Sequence, residues 1–147
     1  MFKHAGGRKV LVNDLTRVIS TMSSPPEVII DGLFGYLQSL DDLWDDEDKS
    51  TCAQLIKWAN SNRARRISID KPSFAEERMS VDWVIQVGAV KEDTFISKDV
   101  RTFIVDVGIG KNVWKDVGVA LNTGKKRKGD LGIGWEGKWV VEIENIA

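Results

Sequence analysis

The chain has one cysteine, one histidine and three prolines in 147 residues, and each scarcity excludes something. Cys52 alone cannot form an intramolecular disulfide or a cysteine-cluster zinc site. Nothing therefore calls for an oxidising compartment, and a cytoplasmic or otherwise intracellular setting is expected. His4 sits in a weakly apolar stretch that ends at Gly6-Gly7, and no Gly-x-Ser-x-Gly turn occurs, so hydrolase-type relays of serine, cysteine and histidine are not expected. No apolar run approaches the roughly 18 residues of a membrane helix, and no signal peptide is present, which predicts a soluble protein without a transmembrane segment. The formal net charge is −1, so the molecule as a whole exerts no electrostatic pull on nucleic acid or anionic lipid.

What is present suits one ordinary globular domain spanning residues 1–147, with 1–7 read as a mobile leader. Hydrophobic residues make up 42% and charged residues 29%, which excludes wholesale disorder. Tryptophan is plentiful, with six: Trp44, Trp58, Trp83, Trp114, Trp135 and Trp139. Such residues serve cores and interfaces alike.

Along the chain the apolar period changes. Leu11, Leu15, Val18, Ile19 and Met22 recur at helical spacing and predict a helix over about 14–22, with Asn13 or Asp14 as its cap. Ser24, Pro25, Pro26 and Glu27 are mutually consistent helix-start signals, and the stripe Ile30, Leu33, Phe34, Leu37 and Leu40 predicts a second helix, weakened by Gly32 and Gly35. A third helix is expected from Ser50 or Thr51 to about Asn62, burying Cys52, Leu55, Ile56 and Ala59. Beyond it the pattern alternates. Strands are expected at 66–70, 80–87 and 101–107, the last burying Phe103, Val105 and Val107 on one face, with a short helical turn capped by Ser73 and Glu76 between the first two. Residues 113–121 fit a strand or a helix. The final stretch, 130–146, reads as a hairpin turning at Glu136-Gly137. Helices first and strands afterwards predict an α+β fold, with N-terminal helices (about 14–62) packed on a mostly antiparallel C-terminal sheet (about 66–146).

Catalytic motifs are incomplete. Gly108-Ile-Gly110-Lys111 lacks the spacing and the hydroxyl of a phosphate loop. Asp46, Asp48 and Ser50 begin like a calcium loop, but Thr51 and Lys57 stand where glycine and glutamate are needed. Asp130 with Glu136 and Lys138 has the Asp and Glu-x-Lys order of Mg²⁺-dependent nucleases, but the pattern is short and the polar turn of the hairpin is the favoured explanation of the same residues. No cofactor and no metal are expected.

Two charged clusters remain as candidate binding residues. Asp41, Asp42, Asp45, Asp46, Glu47 and Asp48 surround Trp44, an arrangement that steers basic partners and offers an aromatic anchor. Lys125, Lys126, Arg127 and Lys128 form a basic loop, and Arg63, Arg65 and Arg66 follow the third helix, where cations also favour its C-terminus. The expectation is a non-enzymatic protein-binding or self-assembly module, of the small structural, accessory or inhibitor and immunity kind, whose partner is another protein or identical subunits. A nucleic-acid or anionic-membrane-surface binder acting through the basic loop is the alternative.

Overall fold

The computed structural model describes residues 2–89, 97–108, 113 and 139–143. After a 3-10 turn at Phe2–Ala5, helix α1 spans Val12–Ser20 and α2 spans Asp46–Ser61. Strands β1 (Val28–Asp31), β2 (Arg65–Ile69), β3 (Trp83–Val87), β4 (Arg101–Val105) and β5 (Val140–Ile143) form one sheet in the order β1-β2-β3-β4-β5.

The combination of helices with this mixed sheet is α+β, but the expected antiparallel arrangement is corrected. β1 to β4 run parallel to one another and only β5 is antiparallel to its neighbour. The cause lies in β1. The predicted second helix is absent, because Val28-Ile29-Ile30 is a β-branched run that prefers a strand, and the two glycines that weakened a helix fall in the loop behind it. With β1 in place, α2 becomes the crossover of a βαβ unit, which delivers β2 parallel to β1.

α2 begins earlier than expected. Asp45 is its N-cap, its carboxylate accepting the Glu47 amide at 2.7 Å, and Asp46, Glu47 and Asp48 occupy the first turn. The acidic run is thus no simple linker, since half of it lies within the helix, where acids favour the positive end of its dipole. The brief helix expected at Ser73 is a turn closed by an isolated antiparallel bridge between Phe74 and Arg78.

The register sorts the sheet into two faces. Ile29 and Asp31, Ser68, Val84 and Gln86, and Thr102 and Ile104 share the face covered by α2, and most of them are fully buried. Ile56 and Ala59 of α2 meet Val84 there, with Met79, Val81 and Val100 completing the core. The opposite face holds Ile67, Ile85, Phe103 and Val105, all half-buried, with Val28 and Ile30 exposed on edge strand β1. The better-buried face of β4 is therefore that of Thr102 and Ile104, not that of Phe103 and Val105, and Val107 is exposed beyond the strand's end. Of the predicted terminal hairpin, β5 is seen. Residues 109–112 and 114–138 lie outside the described residues, and with them most of the ambiguous 113–121 segment.

Candidate functional site

In an open parallel sheet, the loops at the carboxyl ends of the strands are where function is usually built. Three of these strands lead to an aspartate: Asp31 is the last residue of β1, Asp70 follows β2 and Asp106 follows β4. Asp31 is 3% exposed. Its Oδ1 accepts from Ser73 Oγ at 2.6 Å and from the Leu33 amide at 3.2 Å, and its Oδ2 accepts from the Ser73 amide at 2.8 Å and from Ser68 Oγ at 3.1 Å. An ionised carboxylate offers about four lone-pair positions, and here all are engaged. The group binds the end of β1 to β2 and to the loop that follows it.

Asp70 stands at φ 64°, in the left-handed region that aspartate tolerates better than most residues. Its amide donates to the Ile85 carbonyl at 2.8 Å and its Oδ1 accepts the Val87 amide at 2.9 Å, joining β2 to β3. Asp106 Oδ1 accepts the Gly108 amide at 2.8 Å, a tight turn that Gly108 permits by adopting φ 74°. Among the described residues no group of three or more histidine, cysteine, aspartate or glutamate side chains stands ready to hold a metal ion.

Beside Asp31, the β1–α2 loop and the β2–β3 loop enclose a cavity of about 170 Å³. Phe34, Leu40, Pro72 and Ala75 line it, together with the charged residues Asp41 and Lys71. A second cavity, about 310 Å³, separates α1 from α2 and is lined by Leu15, Ile19, Leu55 and Trp58.

The acidic candidates and the basic candidates Arg63, Arg65 and Arg66 lie at opposite ends of α2. Asp42 closes a 3-10 turn at Leu40–Asp42 by accepting from the Ser39 amide at 2.6 Å and from its hydroxyl at 3.1 Å. Asp41, Asp45, Asp46, Glu47 and Asp48 are exposed, and Trp44 between them is fully exposed, at 101% of its reference surface. At the far end Arg66 turns back onto the helix. Its Nη1 donates to the carbonyls of Asn60 and Asn62 at 3.2 Å, and to that of Ala59 at 3.3 Å beside the bond which the Ala59 carbonyl already accepts from the Asn62 amide, so it serves acceptors at the helix terminus. Arg63 and Arg65 remain exposed, Arg65 only loosely near Asp82 at 3.9 Å. The anticipated basic cluster is thus divided, with one cation structural and two at the surface. Lys125, Lys126, Arg127, Lys128, Asp130, Glu136 and Lys138 fall outside the described residues.

Two further groups have displaced acidities. The Cys52 thiol is pushed up by partial burial and, secondarily, by the Asp48 charge, which disfavours the reactive thiolate. Glu142 on β5 is held below the ordinary glutamate range chiefly by its hydrogen bond from Arg101 on β4, a two-pronged contact at 2.6 and 2.9 Å. The Arg101 guanidinium also lies over the rings of Trp83 and Phe103, 5.6 and 5.0 Å from their centres.

The sequence pattern assigns Ser73 only to a helical cap and gives no site role to Asp31, Ser68 or Asp70. A signal was there: Val-Ile-Ile-Asp31 and Ile-Ser-Ile-Asp70 are both apolar runs that stop on aspartate, the second followed by Lys-Pro-Ser73. Paired strand-to-aspartate endings suit a parallel sheet, whereas a hairpin reading gives them no common end of the molecule.

A mainly parallel sheet with an α2 crossover and loops gathered at the carboxyl ends of its strands defines an open α/β type of unit, although its sequential strand order carries no point of reversal among the described residues. The family model for the YjeF-related protein N-terminus matches residues 1–97, and the chain belongs to that family. It is also similar to the enhancer of mRNA-decapping protein 3 of Schizosaccharomyces pombe, with 26% identity over 130 residues, covering 81% of this chain and 27% of that protein. The chain thus spans about a quarter of that relative's length. No helix among the described residues is long and apolar enough to cross a membrane.

Proposed function

We propose that this YjeF-related domain is a non-enzymatic protein-binding or self-assembling module whose working surface is the Trp44 loop and the acids that open α2. The observation that carries the reading is the full exposure of Trp44 among exposed carboxylates. A tryptophan left wholly in water gains nothing for folding, whereas at an interface it is among the strongest anchors. The acids around it raise the encounter rate of a basic partner. The strand-end aspartates are in keeping with the same reading, because both oxygens of Asp31 are taken by backbone and serine donors and one oxygen each of Asp70 and Asp106 holds a backbone amide, which gives all three a part in the fold. The similarity to a decapping enhancer, a protein named for promoting another activity, is in keeping with an accessory role.

The test compares the wild-type chain with a variant carrying Trp44→Ala, Asp46→Asn and Glu47→Gln. Sedimentation measures self-association, and capture from nuclease-treated extract of the native source, at two salt concentrations, measures partner binding. The variant is expected to lose captured protein or self-association at both salt concentrations. An unchanged sedimentation profile together with unchanged captured proteins overturns the proposal.

A nucleic-acid reading has one observation in its favour: Arg63 and Arg65 are exposed beside each other in a relative of a decapping enhancer. It requires RNA affinity that falls, with a shallower salt slope, when Lys125 to Lys128 are replaced by alanine. A Mg²⁺-dependent nuclease acting through Asp130, Glu136 and Lys138 would instead show RNA or DNA cleavage that Glu136→Ala abolishes.

A further inference from the structure

We propose that the cavity between the β1–α2 and β2–β3 loops is a docking site for a protein segment that inserts one large apolar side chain and carries lysine or arginine beside it. This rests on the protein-binding reading above and adds the chemistry of the partner.

Size comes first. An apolar cavity of about 150 Å³ holds a benzene molecule, so one of about 170 Å³ admits the side chain of phenylalanine, leucine or methionine. One part of the wall is held in place before any partner arrives. Phe34 and Ala75 are each 8% exposed, Pro72 is fully buried, and Ser73 between Pro72 and Phe74 is pinned by Asp31. A preformed pocket spares the incoming segment the cost of ordering it.

The mouth indicates a polypeptide rather than a small molecule. Phe74 on its lip is 55% exposed, and Leu37, next to the lining residue Gln38, is 89% exposed. These apolar groups extend the contact beyond the cavity, as an anchored peptide needs. Asp41 lines the mouth and leads directly into the exposed Asp45, Asp46, Glu47 and Asp48, so the approach is negative and selects a positive neighbour for the anchor. Lys71 is the single cation at the rim. It forms no ion pair among the described residues, which leaves its ammonium to meet a main-chain carbonyl of the bound segment.

The experiment uses the full chain and two fluorescein-labelled synthetic peptides read by fluorescence anisotropy. They are identical, with lysines on both sides of a central residue that is phenylalanine in the first and alanine in the second. The phenylalanine peptide is expected to bind about tenfold or more tightly, the yield of burying one aromatic side chain. Gln38→Trp, which fills the mouth from an exposed position, and Phe74→Ala, which removes the lip, are each expected to abolish that preference while the circular dichroism spectrum stays unchanged. Equal affinity for the two peptides overturns the cavity while leaving the acidic surface standing. Binding of neither peptide, or a preference that survives both substitutions, also overturns it. A result against the Trp44 surface in the sedimentation and capture comparison leaves this peptide discrimination to be read independently.

Discussion

Asp31 grips Ser73 at two points, taking its hydroxyl on Oδ1 at 2.6 Å and its amide on Oδ2 at 2.8 Å, across 42 positions of sequence. Both residues are buried. Removing the carboxylate leaves the Ser73 amide and two serine hydroxyls without acceptors in a dry setting, and each such orphan costs about 1–3 kcal/mol. Asp31→Ala is therefore expected to destabilise the fold by about 3 kcal/mol or more, and Ser73→Ala by about 1–2 kcal/mol. Asp31→Asn falls between them, since one oxygen remains while the new amide group faces donors. Urea denaturation of the three variants, at unchanged m-value, checks the order.

Arg66 gives a second prediction because it does what the helix cannot do for itself. α2 has no basic residue in its last turn, and the guanidinium from β2 donates to three carbonyls there, that of Ala59 already accepting the Asn62 amide as well. Arg66→Met keeps the apolar stem and loses the cap, at an expected cost of about 1–2 kcal/mol. Lysine restores little, since a single ammonium does not reproduce the planar fork. Arg63→Ala and Arg65→Ala, at exposed positions, are expected to stay within about 0.5 kcal/mol. Equal losses at all three positions would show that the cap carries no special weight.

The antiparallel strand β5 carries a pH signature. Glu142 titrates below its unfolded value because Arg101 hydrogen-bonds its charged form. Over the acid range the folded state therefore holds fewer protons at this site than the unfolded chain does. The stabilisation is fully present above the ordinary glutamate value of 4.5 and is lost as the pH falls through the lowered folded value. Both side chains are surface groups, so the effect is modest and shrinks with added salt. Urea midpoints measured against pH are expected to differ between wild type and Glu142→Gln near neutrality and to converge in acid. Parallel curves across the whole range would show that the pair contributes nothing to stability.

How much of this was legible in the sequence depends on which physical signal each segment carried. α1 and the positions of β2, β3 and β4 follow from periodicity, because amphipathic order is a local property. β1 carries two conflicting signals: Ile30, Leu33, Phe34, Leu37 and Leu40 recur at helical spacing, but Val28-Ile29-Ile30 is β-branched and Gly32 and Gly35 break the stripe, so the strand prevails. That one element decided the topology, since without β1 no βαβ unit exists and the remaining strands read as hairpins. The continuous apolar runs Trp83-Val84-Ile85 and Phe103-Ile104-Val105 were the other clue, being typical of parallel strands covered on both faces. Of the site, the acidic run and Trp44 were visible as composition. The Asp31 clasp was not, because its hydroxyl partners lie 37 and 42 residues away and only the fold brings them together.

Trp44 itself offers an optical test of its surroundings. It is fully exposed, and the carboxylates of Asp41, Asp45, Asp46, Glu47 and Asp48 are exposed around it. A negative local potential concentrates cations and repels anions within about 10 Å at moderate ionic strength. Caesium, a cationic quencher, is therefore expected to quench the Trp44 emission more efficiently than iodide does. The contribution is isolated by subtracting the spectrum of Trp44→Phe from that of the wild type, since five other tryptophans also emit. Asp46→Asn with Glu47→Gln is expected to narrow the difference between the two quenchers, and raised salt is expected to narrow it further. Trp44→Phe is expected to leave stability within about 0.5 kcal/mol, as befits a side chain that buries nothing in the folded chain. Equal quenching by both ions would show that the acids set no negative potential at Trp44, and a Trp44 signal that neither ion reaches would mean that the loop is covered and that this surface is not open to a partner.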